Sequence, residues 1–175
     1  MKRKARVILL TGKGKGKTTA ALGMALRASG HGMRTLIIQF VKNDTTIGEL
    51  KVIRRLPGVE IKQVGLGFVP KRADPRFAAH REAAQKGLRE AAEAIASSRY
   101  QLIVLDEVCV AVAHGLLDEQ RVCEVMREAS PDCCIVLTGR NATEGLIALA
   151  DTVTEMRCVK HAFEQGRPAQ EGVEF

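Results

Sequence analysis

The 175-residue sequence has no tryptophan, one tyrosine and only 3% aromatic residues, although 46% of it is hydrophobic. Such scarcity argues against a surface on which the bases of a single strand stack. The apolar content is instead aliphatic, carried mainly by Ala, Val, Ile and Leu, which suits alanine-rich helices on aliphatic strands and does not suit a disordered chain. Cysteine occurs five times, an odd count, at Cys109, Cys123, Cys133, Cys134 and Cys158, and no two form a CxxC pair. This spacing argues against a zinc site and for reduced, mostly buried thiols. The basic start Met1-Lys2-Arg3-Lys4 leads into an apolar run of about five residues, too short for a signal peptide or a membrane span. A cytoplasmic protein is therefore expected. No repeat, low-complexity tract or Pro/Gly-rich linker divides the chain, and its length suits a single domain over residues 1–175.

What is present in excess is positive charge, +7 overall with a pI near 9.4. It draws anions to the surface, whether nucleotide phosphates, nucleic acid or an acidic protein, and the sign alone does not choose among them.

Short aliphatic runs recur at residues 6–10, 35–40, 59–64, 102–105, 134–137 and 152–156. Most lack the in/out alternation of a half-solvated strand. Between them lie helical patterns, at 18–29, 48–55, 117–127 and 143–149, with the longest at 74–98, where Phe77, Ala84, Leu88, Ala92 and Ile95 share one face. Strands apolar on both sides and separated by helices belong to a parallel sheet covered on both faces. An α/β fold is expected, with an open, mostly parallel sheet of five or six strands and helices on both faces. In such sheets ligands sit at the carboxyl ends of the strands.

The loop after the first strand is the most specific feature of the chain. In Gly12-Lys13-Gly14-Lys15-Gly16-Lys17-Thr18 three glycines alternate with lysines before a helix opens. Glycine lets backbone N–H groups turn inward without Cβ clashes, and the helix N-terminus adds its dipole. The segment reads as a phosphate-binding loop for a nucleotide triphosphate, ATP with Mg²⁺, in which Lys17 contacts phosphate oxygens and the Thr18 hydroxyl coordinates the metal. The usual pattern has glycine five residues before Gly16, where this chain has Thr11. Lys13 and Lys15 read either as phosphate contacts or as solvated charges contributing a positive field.

Leu102-Ile103-Val104-Leu105 ends in two carboxylates, Asp106 and Glu107. Successive residues at a strand end point to different sides, so one would face Mg²⁺ while the other binds backbone or Thr18, the Walker-B role. Thr138-Gly139-Arg140, after the next strand, reads either as a guanidinium placed on phosphate or as a capping turn with a surface arginine. Arg27 lies about 15 Å along the helix axis from Lys17 and, by spacing alone, reads as a surface charge.

Taken together these blocks resemble the P-loop type of ATP:corrinoid adenosyltransferase, a family that makes adenosylcobalamin. The resemblance spans nearly the whole chain and implies a P-loop NTPase fold of RecA-like type. It rests on the shifted loop continuing through Thr19-Ala20-Ala21, on Gln39-Phe40-Val41-Lys42, Gly48-Glu49, Gly67-Phe68, Leu105-Asp106-Glu107 and Thr138-Gly139-Arg140, and on Ala150-Asp151-Thr152-Val153-Thr154-Glu155-Met156 and Lys160-His161-Ala162-Phe163. It implies a transfer in which the Co(I) form of a corrinoid, such as cobalamin, cobinamide or cobyrinic acid a,c-diamide, attacks the 5′ carbon of ATP and displaces triphosphate. Mg²⁺, or Mn²⁺ in its place, would assist the leaving group. The resemblance further implies catalytic roles for Lys17, Phe68 and Glu107, and metal contacts from Thr18, Asp106 and Glu107. Nucleotide contacts would extend over Gly12 to Thr19, Arg27 and Arg140.

In this family the nucleotide lies reversed in the loop, and an apolar residue at the position of Phe68 shields cobalt. The alternative for Phe68 is a core aromatic. The family often has Trp two positions later, where this chain has Pro70, and some relatives carry an N-terminal extension over the site. A partner subunit or another loop is expected to cover the pocket here. A homodimer and a reductase as electron donor are further implications, without nucleic acid or membrane. His161 and Lys160 match the family, and the residues themselves suggest no mechanism for them.

Two other classes compete. A RecA-like ATPase acting on nucleic acid would explain the charge and the loop, but it calls for aromatic or basic clusters in the loops. A regulatory nucleotide-binding module without catalysis would need an inert Walker-B equivalent, which Asp106-Glu107 argues against.

Overall fold

The computed structural model describes residues 4–173. Met1, Lys2 and Arg3 of the basic start lie outside this range. The chain begins with strand β1 (Arg6–Thr11) and helix α1 (Lys17–Gly30), followed by β2 (Thr35–Gln39), α2 (Gly48–Ile53), β3 (Val59–Gln63) and α3 (Phe77–Ala96). Then come β4 (Leu102–Asp106), α4 (Val108–Ala113), α5 (Glu119–Arg127), β5 (Cys134–Thr138), α6 (Glu144–Leu149) and β6 (Thr152–Glu155), with a 3-10 turn at Ala162–Gln165. The strands form one six-stranded sheet in the order β3-β2-β4-β5-β1-β6, and every pairing is parallel.

The missing alternation of the apolar runs has a simple cause. Leu36, Ile38, Ile103, Leu105, Ile135 and Leu137 enter one core, with α3, α4 and α5. Their neighbours Ile37, Leu102, Val104 and Val136 enter a second core on the other face, with α1. Side chains alternate along each strand, but both faces are buried, so the strand reads as continuously apolar. Helix α1 meets the sheet through Ala21, Ala25 and Ala28, one buried stripe of small residues that brings the helix close. The described cysteines are all free thiols, three of them buried.

The two edge strands depart from the doubly covered expectation. β6 is exposed along its whole length, and β3 alternates, because each has a neighbour on one side only. Helix α4 was hidden from pattern reading, since Val108-Cys109-Val110-Ala111-Val112-Ala113 is rich in β-branched residues and follows a strand directly. Glu107 makes the turn possible by adopting φ 63°, a left-handed conformation uncommon for a residue with a Cβ. Helix α5 starts at Glu119 and not at Leu117, because the Asp118 carboxylate caps it by accepting from the Arg121 N–H at 2.9 Å. Helix α3 starts at Phe77, where Asp74 instead accepts from the Arg76 N–H in the preceding turn. Among the described residues no helix is long and apolar enough to cross a membrane.

Candidate active site

The strand order places β5 between β1 and β4, so the loop after β1 and the carboxylates after β4 face each other across the end of β5. Gly16 precedes α1 with φ 112°, the conformation that turns the loop into the helix. Gly14 is needed for a different reason: a Cβ there would lie 2.6 Å from the carbonyl oxygen of Met156, to which the Gly14 N–H also donates at 2.6 Å. The segment after β6 is thereby stitched to the loop. Lys17 curls over it, donating from Nζ to the carbonyls of Gly12 at 2.8 Å and Gly14 at 2.7 Å. Burial, with the Arg140 guanidinium nearby, lowers the Lys17 pKa below the usual lysine range.

Asp106 is 1% exposed and is held by three donors. The hydroxyls of Thr18 and Thr138 donate to Oδ1 at 2.9 and 2.7 Å, and Gln39 Nε2 donates to Oδ2 at 3.0 Å. Glu107 is the complement: its backbone N–H donates to Thr138 Oγ1 at 2.9 Å, while its Oε2 is buried without a hydrogen-bond partner. Burial first, and then the neighbouring Asp106, raise the Glu107 pKa above the ordinary carboxylate value. A buried, unpartnered carboxylate oxygen costs free energy unless something binds it. A cation would.

A cavity of about 910 Å³ opens above these groups. Lys13 to Thr19, Glu107 and Thr138 to Asn141 line one part of it, and Val41, Lys42, Gly48, Glu49, Phe68, Val69, Val110 and His114 another. Lys42 and Glu49 form an ion pair of 3.0 Å within it. Phe68 is 100% exposed, which excludes the core-aromatic alternative, and it projects on a loop tied by the Gly67 N–H to Val41 O at 2.8 Å. The mouth is partly lined by residues 161–173, including His161, Phe163 and Arg167. His161 Nδ1 accepts from the Phe163 N–H at 3.2 Å and so caps the 3-10 turn.

Of the residues singled out from sequence, Lys13, Gly14, Lys15, Gly16, Lys17, Thr18, Thr19, Phe68, Glu107 and Arg140 line this cavity. Gly12 and Asp106 support it from beneath. Arg27 is not brought in: it is exposed on α1, outside the lining. Thr11, which replaces the first glycine, is the last residue of β1 and donates from Oγ1 to the Gly139 carbonyl at 2.9 Å. The substitution thus ties the phosphate loop to the Thr138-Gly139-Arg140 loop.

Sequence reasoning missed a polar row across four strand ends. Gln63, Gln39, Asp106 and Thr138 close β3, β2, β4 and β5 abreast of one another, three of them buried, while Thr11 stands one residue beyond Leu10, the partner of Thr138. The signal was available, because each aliphatic run ends in one polar side chain. Its meaning depended on which strands are adjacent.

The chain matches, over residues 3–175, the family described as ATP:corrinoid adenosyltransferase BtuR/CobO/CobP. The corrinoid adenosyltransferase of Pseudomonas aeruginosa is 44% identical over 177 residues, spanning 99% of this chain and 86% of that protein. That of Escherichia coli K12 is 37% identical, spanning 97% of this chain and 85% of that protein. In fold, the chain is similar to the flagellar accessory protein FlaH of Methanocaldococcus jannaschii, with a TM-score of 0.58 at 11% identity, over 86% of this chain and 70% of that one.

Proposed function

Because the chain belongs to the ATP:corrinoid adenosyltransferase family, we infer that it transfers the 5′-deoxyadenosyl group of ATP to the Co(I) centre of a corrinoid. The cobalt electron pair forms the Co–C5′ bond, the C5′–O bond breaks, and its electrons leave with triphosphate. The observation that carries the reading is the single cavity in which a phosphate cradle at Lys17 and Thr18 meets an exposed aromatic wall at Phe68. One end suits a polyanionic leaving group and the other a large, flat, mostly apolar reactant. At about 910 Å³ the space is at the upper end of the range of ligand pockets.

The chemistry asks little proton transfer of the protein, because Co(I) is already a strong nucleophile. What remains is neutralisation, alignment and exclusion of water. Lys17, the loop N–H groups and Arg140 face the triphosphate, and the nucleotide lies reversed so that its ribose carbon points toward Phe68. Residues 161–173 take the part of the covering loop. Among the described residues no cluster of three or more His, Cys, Asp or Glu would hold a metal unaided. Thr18 Oγ1 and the unpartnered Glu107 Oε2 nevertheless fit Mg²⁺, or Mn²⁺, that takes its other ligands from phosphate and water. When bound, the metal neutralises the leaving group's charge. The same reading carries a homodimer, a cytoplasmic location and a reductase that supplies Co(I).

The test is to mix the protein anaerobically with ATP, Mg²⁺ and chemically reduced cobalamin, and to follow absorbance for loss of Co(I) and appearance of a photolabile adenosyl product. No product above the protein-free control would overturn the assignment.

A further inference from the structure

The polar row beneath the cavity extends well beyond the groups that face the triphosphate. Gln39, at 0% exposure, stands directly opposite Asp106 on one neighbouring strand and Gln63 on the other. Its amide is oriented by chemistry. Asp106 Oδ2 accepts from Gln39 Nε2, at 3.0 Å, so the other end of the amide presents Oε1 to Gln63 Nε2, also at 3.0 Å. Gln63 Nε2 in turn donates to the carbonyl of Asp44 at 3.1 Å. A continuous chain of hydrogen bonds thus runs from the carboxylate that holds Thr18, through two glutamines, to the loop between β2 and α2 that carries Lys42 and leads to Glu49.

The backbone reinforces this chain. Val64 and Gly65 both donate to the Gln39 carbonyl, at 3.0 and 3.2 Å, and Phe40 donates to the Asp106 carbonyl at 2.9 Å. Gly65 is packed so closely on the Val41 backbone that a Cβ would collide with it. The ends of β2, β3 and β4 are therefore one unit.

Resting on the adenosyltransferase reading, we propose that Gln39, itself oriented by Gln63, is a positioning residue for metal·ATP. It holds Asp106 in the rotamer that keeps Oδ1 on Thr18, and thereby fixes the Thr18 hydroxyl where the metal needs it. Gln39 touches neither substrate. A buried amide bonded at its nitrogen to a carboxylate and at its oxygen to a second amide is costly to assemble in a core unless that carboxylate must be held in one orientation. Partners of this kind act on metal affinity through the ligand they orient.

The experiment compares the wild-type protein with Gln39→Met and Gln63→Met, measuring ATP affinity by calorimetry without metal and with Mn²⁺, and Mn²⁺ binding in the presence of ATP by electron paramagnetic resonance. Methionine keeps the length of the side chain and removes the amide. Gln39→Met should weaken Mn²⁺·ATP binding about tenfold, as loss of an outer partner of a metal site does. Its metal-free ATP affinity should stay within about twofold, since the loop and Lys17 are intact. Gln63→Met should show the same selectivity at about two- to threefold, because it acts at one remove. Equal losses with and without metal would indicate general damage and overturn the proposal, as would Mn²⁺·ATP binding unchanged in both variants. If Gln39→Met does not fold, Gln63→Met alone decides, and unchanged Mn²⁺·ATP binding there overturns the proposal. Failure of the functional reading is distinct from either outcome, because the wild type would then show no metal-dependent ATP binding or no corrinoid product.

Discussion

The two walls of the cavity are built in opposite ways. On the phosphate wall the groups at its centre are engaged: Lys17 by two carbonyls, Thr18 and Thr138 by Asp106, Gly14 by Met156, and Thr11 by Gly139. On the facing wall Phe68 is fully exposed on a loop, and at the mouth Phe163 is 77% exposed in the 3-10 turn. The contrast is the one that the proposed transfer would ask of the two walls. Charge that develops on a leaving group is stabilised best by dipoles already in place, so the phosphate side is made rigid in advance. A large apolar face gains by removing exposed side chains from water when it arrives, so that side can remain open.

The sharpest way to break this contrast is at Lys17. Lys17→Ala should reduce the rate of Co(I) loss in the anaerobic assay about 10³-fold, the order expected for a preorganised charge at the leaving group. Retained turnover would show that triphosphate is bound elsewhere.

On the open wall, Phe68→Ala should slow transfer about tenfold, or ~1.4 kcal/mol of barrier. The same change should alter stability by no more than about 0.5 kcal/mol, because the ring has no native packing to lose. Calorimetric ATP affinity should be unaffected, and a loss confined to ATP binding would remove Phe68 from the corrinoid side.

The smallest expected effect is at Glu107, where the rigid wall holds one group without a partner. Its pKa is raised, so as pH falls through that raised value the folded protein takes up a proton that the metal must displace. Metal-dependent ATP affinity should therefore decline in the mildly acidic range, above the ordinary carboxylate pKa. Glu107→Gln should flatten that decline and weaken metal-dependent binding. For the metal-free protein the sign is reversed. A raised folded-state pKa means that ionised Glu107 costs stability above that pKa, so the glutamine variant should be more stable at neutral pH, by about 1 kcal/mol. A melting temperature lower than wild type at neutral pH would show that the buried, unpartnered Glu107 oxygen does not cost the stability described.

Much of this arrangement was legible in the chain. The strand-loop-helix at residues 6–30 announces itself, since its glycines and the residues after them act through local backbone geometry. Asp106-Glu107 was readable as a pair at a strand end, though the division of labour between them was not. That division depends on Thr138, 32 positions away, donating to Asp106 and accepting from Glu107. Helix α4 escaped because β-branched residues after a strand look like more strand, and only the left-handed Glu107 turns the chain. Phe68 was ambiguous between core and cavity, because an isolated aromatic carries no periodicity that would place it.

Thr11 shows most clearly where the boundary falls. In the sequence it is a glycine missing from a phosphate loop; in the fold it closes β1 and holds the Gly139 carbonyl beyond the neighbouring strand. The sequence by itself determined the α/β class, the phosphate loop and the acidic strand end, because each is encoded in contiguous residues by local sterics and by the period of burial. Only the tertiary structure decided that Gln63, Gln39, Asp106 and Thr138 stand side by side, that Thr11 reaches Gly139, that Phe68 faces the same cavity as Lys17, and that Arg27 does not. Adjacency in a parallel sheet is set by crossover connections between distant segments, and no local pattern records which strands those connections bring together.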